Sequence, residues 1–201
     1  MRTAVFDFDE TLVYLHSALI WSKHIHLRNI LKIPKLLMLG KFNGAPGYHR
    51  KAFEWMVGKD VSRTIETMKS LPPIPGAVNY FRQLSARGYK MIVMSYSPGV
   101  FVSPWLAANG LESELICPDF VVKANMLKTI SNDPVTRTYL AELDRAKAKV
   151  LSDLDIRPDI CVGDNARRDR MCDQYIDIRN LEPGYHNIIK RTLRGLEHVF
   201  R

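Results

Sequence analysis

The chain has 201 residues, 46% hydrophobic and 25% charged, with three cysteines and a formal net charge of +8. That balance suits one soluble globular domain with a modest insertion, and it excludes a disordered chain, a collagen-like chain and a disulfide-framed miniprotein. The best apolar run, residues 30–39, is broken by Lys32, Pro34 and Lys35, well short of the roughly 20 residues a bilayer-spanning helix needs. A strand pattern starts at Thr3 with no charged-then-apolar leader before it, so the expected location is the cytoplasm. The basic excess favours anionic partners without choosing among nucleic acid, anionic lipid and phosphorylated metabolites.

Residues 3–6 form a short apolar run that ends abruptly in Asp7-Phe8-Asp9-Glu10-Thr11, the pattern of a buried parallel strand with polar chemistry at its C-terminal edge. From residue 13 to about 70 the spacing turns helical, with Trp21, Ile25, Leu27, Ile30, Leu31, Phe53, Met56 and Val57 recurring among basic residues. Three glycines and a proline within residues 40–47 mark a loop between two helical pairs. Pro72, Pro73, Pro75 and Gly76 then mark a return to the main domain. A helix over 77–87 follows, closed by Gly88, then a strand over 89–94, a helix over 100–109 closed by Gly110, and a strand over 115–122 interrupted by Pro118. A helix over 136–154 starting at Asp133-Pro134, strands over 159–162 and 174–178, a turn at Pro183-Gly184 and a C-terminal helix complete the reading. Strands alternating with helices predict an α/β fold, a doubly wound Rossmann-like parallel sheet, with residues 14–71 inserted as an all-helical lid.

Polar clusters follow three separate strands, so Asp7, Asp9, Ser95 and Asp164 should meet at one sheet edge. With Asp169 added, the carboxylates need a divalent cation to offset their repulsion, and a hard oxygen donor set of this kind suits Mg²⁺. Residues two apart in a strand face the same side, so Asp7 and Asp9 can reach one reaction centre. One carboxylate can attack phosphorus, and the other can protonate the leaving oxygen and then deprotonate water. Thr11 is placed to orient the second carboxylate or to hydrogen-bond the lid, and Ser95 to meet phosphoryl oxygens.

These residues resemble the haloacid dehalogenase superfamily of aspartate-nucleophile phosphatases. Residues Val5 to Leu12 match its D-x-D-x-T-L pattern, Met91 to Ser95 its apolar strand ending in a hydroxyl, and Gly163-Asp164 with Asp169 its G-D-x-x-x-x-D turn. The lid position and the Ser95-Tyr96-Ser97-Pro98-Gly99 run are similar to the phosphoserine-phosphatase-like subgroup with its small helical cap. The resemblance implies Asp7 as nucleophile and Asp9 as general acid and base. It implies Mg²⁺ held by Asp7, the Asp9 backbone carbonyl and Asp164, with Asp169 supporting or joining them. It also implies a lysine bridging nucleophile and phosphate, which is Lys147, Lys149 or Lys123.

The expected domains are thus a core of residues 1–13 and 72–201 and a cap of 14–71. The expected activity is Mg²⁺-dependent hydrolysis of a small phosphomonoester through an aspartyl phosphate. Phosphotransfer by the same intermediate and noncatalytic phospholigand binding are the alternatives. The expected partner is the small phosphorylated substrate, with neither nucleic acid nor membrane. A basic stripe over 21–39 with Lys23, Arg28, Lys32 and Lys35 is read as cap packing in preference to a lipid-facing surface. His24 and His26 are read as lid-surface or lid-packing residues, Cys161 as sheet packing, and Arg167, Arg168 and Arg170 as a solvated face near the metal turn.

Overall fold

The structure, a computed structural model, describes residues 1–14, 17, 20, 47–142, 145–182 and 184–185. The first half runs β1 (Thr3–Asp7), α1 (Gly47–Met56), α2 (Ser62–Lys69), α3 (Pro75–Ala86), β2 (Lys90–Met94) and α4 (Gly99–Ala108). It continues with β3 (Glu114–Ile116), β4 (Phe120–Lys123), β5 (Met126–Ile130), α5 (Pro134–Ala141), α6 (Ala146–Asp153), β6 (Ile160–Gly163), α7 (Ala166–Asp169) and β7 (Gln174–Asp177).

Five parallel strands form one sheet in the order β3-β2-β1-β6-β7. Alternation along the strands divides the core. Ala4, Phe6, Met91, Val93, Ile160 and Val162 pack on one face with Phe81 and Trp105 from α3 and α4. Val5, Ile92, Met94 and Cys161 pack on the other face with Tyr139, Val150 and Leu151 from α5 and α6. Apolar residues on both faces of a strand are what a parallel sheet covered twice by helices requires. The Rossmann-like α/β expectation is therefore the observed fold, and Cys161 is buried in the sheet as expected.

Chain punctuation reads true at several ends. Asp133 caps α5, its carboxylate accepting from the Thr136 amide at 2.8 Å, with Pro134 at the first helical turn. Gly88 and Gly110 follow α3 and α4 with φ of 77° and 61°, values that suit a residue without a Cβ.

Two predicted elements are corrected. The strand expected over 115–122 is two strands in different sheets: β3 edges the main sheet, and β4 pairs antiparallel with β5 in a two-stranded hairpin. Its turn, Ala124-Asn125, takes positive φ at both residues, 50° and 60°, the type I′ geometry usually signalled by Asn-Gly. Without that glycine the hairpin leaves little trace in the sequence. The helix expected over 136–154 breaks into α5 and α6. Neither Gly nor Pro stands at the break; Glu142 leaves helical geometry in a stretch with no local breaker, so no residue type announces it.

The chain leaves the core at Leu12-Val13 and returns beside itself. Ile74 N–H donates to Leu12 O at 2.8 Å, and Val13 bridges Pro73 antiparallel. Within the intervening stretch, α1 and α2 lie against the hairpin and α4: Phe53 stacks on Phe120 at 5.0 Å, and the Gly58 amide donates to Leu127 O at 2.7 Å. Trp105 Nε1–H donates to Leu71 O at 2.9 Å. The stripe over 21–39, His24 and His26, and the C-terminal helix lie outside the described residues.

Candidate active site

The C-terminal ends of β1, β2 and β6 open on one edge, where the strand order reverses around β1. Asp7 is the last residue of β1 and follows the parity of Val5, so it faces the side covered by α6. There it meets Lys147, in the first turn of α6. The buried Lys147 ammonium pairs with Asp7 and, at 2.6 Å, with Asp169 Oδ1. Burial pulls this ammonium down, but Asp7 and Asp169 outweigh burial and hold it above the ordinary lysine range.

The three candidate lysines separate cleanly. Lys147 shares a helix face with Val150 and Leu151, three and four residues on, and is 2% exposed. Lys149 points the other way and pairs with Asp153 on the surface. Lys123 is exposed at the end of β4. The apolar residues Val150 and Leu151 were the sequence signal that could have decided among them.

Asp169 is held by the turn after β6. The Asn165 amide donates to its Oδ2 at 3.1 Å, and its side chain lies directly over Gly163. A Cβ at Gly163 would sit 2.6 Å from Asp169 Cγ, so only glycine lets the carboxylate close on the strand. Oxygens of Asp7, Asp164 and Asp169 lie within 4.8 Å of one another.

Burial pushes Asp7 well above the usual carboxylate range; Lys147 opposes the shift, and Asp169 and Asp164 add to it. Asp164 is pushed up to about 6, first by burial and then by Glu10 and Asp169. Three carboxylates around one ammonium leave net negative charge in a poorly hydrated place. That surplus, on hard oxygen donors alone, fits a divalent cation such as Mg²⁺.

Asp9, also buried, has different company. Its Oδ1 accepts from the Ser17 amide at 2.6 Å; its Oδ2 accepts from Ser97 Oγ–H at 3.0 Å and more distantly from Ser95 Oγ–H at 3.4 Å. The hydroxyls of Ser17 and Ser97 touch each other, and the Ser97 amide donates to Ser95 Oγ at 2.9 Å. The Asp9 carboxylate thus faces a nest of serines and is not one of the three clustered carboxylates.

Ser17 and Ser97 were missed as site residues. Ser97 carried a faint signal, two residues beyond Ser95 after the same strand, whereas Ser17 comes from a helical-looking stretch and carried none. Thr11 corrects its expectation, since its hydroxyl donates to Asp7 Oδ2 at 3.2 Å and not to Asp9. The amides of Thr11, Leu12 and Val13 all point to Phe8 O, and this tight turn curls Thr11 back to the strand end. Of the arginines, Arg167 and Arg170 are exposed, while Arg168 is half-buried with its guanidinium 5.6 Å from the centre of the Tyr96 ring.

Among solved structures, the chain is similar to a substrate-bound phosphoserine phosphatase at 21% identity, covering 89% of this chain and 95% of that one with a TM-score of 0.63. It is equally similar to a phospho-aspartyl intermediate analogue of phosphoserine phosphatase, at 21% identity, 94% and 97% coverage and a TM-score of 0.63. A cytosolic 5′-nucleotidase IIIB bound to cytidine matches at 14% identity, 92% and 70% coverage and a TM-score of 0.60. A search of curated proteins finds no match. The structural likeness is one of fold. The profile of haloacid dehalogenase-like hydrolases matches residues 4–167, from β1 to the turn bearing Asp164, and the chain belongs to that family.

Proposed function

We propose that the protein is a Mg²⁺-dependent phosphomonoester hydrolase that works through an aspartyl phosphate on Asp7, with a small phosphorylated metabolite as substrate. The observation that carries this reading is the division of labour at the end of β1. Asp7 is paired with a buried cation, while Asp9 is held apart by neutral serine donors. A binding pocket for phosphate gains nothing from two carboxylates facing an anion; a nucleophile and a proton carrier account for both. The names of the similar structures, phosphoserine phosphatase and 5′-nucleotidase, support the same class of ester.

Lys147 offsets the Asp7 charge, so an anionic phosphoryl group can approach. An Asp7 oxygen forms the new P–O bond as the ester P–O bond breaks, and Asp9 delivers a proton to the departing oxygen. Asp9 then takes a proton from water, whose oxygen attacks phosphorus and frees Asp7. Ser95, beside Asp9 at the end of β2, is proposed to donate to the phosphoryl oxygens. Mg²⁺, held by Asp7, Asp164 and the Asp9 backbone carbonyl with Asp169 beside them, would supply charge neutralisation for the transferring group.

We also propose the division into a core of 1–13 and 72–201 and a cap of 14–71, supported by the side-by-side exit and return at Val13 and Pro73. A cytoplasmic location without nucleic-acid or membrane partners goes with this reading; among the described residues no helix is long and apolar enough to cross a membrane. The test is phosphate release from a panel of phosphomonoesters with and without Mg²⁺. Turnover is expected only with Mg²⁺, and Asp7→Asn should lower it at least about 10⁴-fold. Release that survives in Asp7→Asn would overturn the nucleophile. Transfer to an added alcohol in place of water would make the enzyme a phosphotransferase.

A further inference from the structure

Cys161 and Cys172 flank the turn that carries Asp164 and Asp169. Cys161 lies in β6, completely buried and held by the sheet on both sides, while Cys172 follows α7 and packs from the half-exposed side against the cluster that holds Cys161. As a thiol, Cys172 donates to Gln174 O at 3.6 Å. Beside it a cleft of about 440 Å³, walled by Leu151, Ile156, Pro158 and Met171, gives small solutes a way in. The phosphatase mechanism uses neither sulfur.

We propose that Cys161 and Cys172 form a peroxide-oxidised modification site, whose disulfide closes a ring around the Asp164–Asp169 turn and weakens its hold on a divalent cation. The second half of this statement rests on the metal role given to those carboxylates above; the first half does not.

The chemistry balances with hydrogen peroxide as oxidant. The Cys172 thiolate attacks one peroxide oxygen, the O–O bond breaks, and hydroxide leaves, giving a sulfenic acid. The Cys161 sulfur then attacks Cys172 Sγ, the S–O bond breaks, and the departing hydroxide takes the Cys161 proton as water. Two thiols lose two electrons, and the peroxide becomes two waters. The local electrostatics suit these roles: a hydrogen bond from Cys161 holds Cys172 below the ordinary thiol range, and that bond together with burial pushes Cys161 up. Cys172, which lines the cleft, is the attacking sulfur, and Cys161, buried behind it, the resolving one. Because β6 is clamped between β1 and β7, drawing the sulfurs to about 2.05 Å displaces Cys172 and, through Met171 and Arg170, the end of α7 that bears Asp169.

The experiment treats the whole protein with hydrogen peroxide, maps disulfides by mass spectrometry of proteolytic peptides, and titrates Mg²⁺ by calorimetry before and after. The expected result is a linked Cys161–Cys172 peptide pair lacking two hydrogens, reversed by dithiothreitol, with Mg²⁺ affinity lowered roughly tenfold on oxidation. Cys172→Ser should remain unlinked and keep its Mg²⁺ affinity through the same treatment. Cys161→Ala, which leaves Cys172 in place, should stop at the sulfenic acid and trap a dimedone adduct. Cys117→Ala should behave as wild type. A wild-type chain that shows no Cys161–Cys172 link, or links to Cys117 instead, overturns the pair. A link that leaves Mg²⁺ affinity unchanged overturns its coupling to the turn. Failure of the reduced protein to bind Mg²⁺ at all would count against the metal assignment, and the peptide map would still decide the pair.

Discussion

Asp7 and Asp9 stand two residues apart at the mouth of one strand, yet they occupy different kinds of surroundings. Around Asp7 the residues are charged: a buried lysine bridges it to Asp169, and Asp164 stands beside them. Around Asp9 they are neutral: one amide and two hydroxyls, all from serines, reach its oxygens. The lesson is that side-chain type alone does not assign a chemical role. A carboxylate paired with a buried ammonium and one set among neutral donors meet different electrostatics, and the proposed roles draw on that difference.

Damage to the two sides should differ in kind. Replacing Lys147 with Met strands Asp7 and Asp169 in the interior, and the loss should be about 3–5 kcal/mol of stability together with all activity. Denaturant melts of the single variant and of Lys147→Met/Asp7→Asn check this; part of the stability should return in the double variant. Gly163→Ala drives a methyl into the Asp169 side chain, and a cost of roughly 1–3 kcal/mol with a lower Tm is expected. On the other side, Ser97→Ala removes one donor to Asp9 and should lower kcat about 10- to 100-fold, with a smaller loss of stability than Lys147→Met. A Ser97→Ala protein as unstable as Lys147→Met would erase the distinction.

The smallest effect lies away from the site. Desolvation pushes Asp133 up, but hydrogen bonds from Ser131 and Thr136 win and hold its carboxyl below the ordinary range. Asp133→Ala should cost about 1 kcal/mol as a lost helix cap. Because the folded value is lowered, that contribution is present above the unfolded pKa of about 3.9 and fades as pH falls through the lower folded value. Parallel melts of both proteins at neutral and acid pH should therefore converge on the acid side.

The core of this fold was legible because parallel strands buried on both faces write continuous apolar runs, and each of the runs ending at Asp7, Ser95 and Asp164 stops at a polar residue. Asp7, Asp9 and Asp164 were readable from their position after those ends, and Asp169 from its spacing beyond Asp164. What stayed hidden depends on contacts between distant segments. The Ala124-Asn125 turn lacks the glycine that announces a hairpin, and the break after Ala141 has no local cause. Ser17 donates its amide to Asp9 from beyond the strand end, a contact that no local pattern announces. Lys147 differs from Lys149 only by which way a helix is turned, which the neighbouring Val150 and Leu151 record.

The strand that ends at Asp7 runs down the middle of the sheet, and its partners β2 and β6 both come from far along the chain. Closing such long loops is an entropic hurdle that local helices do not face, and it slows folding. No short piece of the polypeptide holds Asp7, Lys147 and Asp169 together, so the pocket cannot exist in a half-assembled molecule. Recovery of hydrolysis after dilution from denaturant would then trace the last event of refolding. Burst signals from α3 or α4 should run ahead of it, and the interval between the two would time the closing of the sheet.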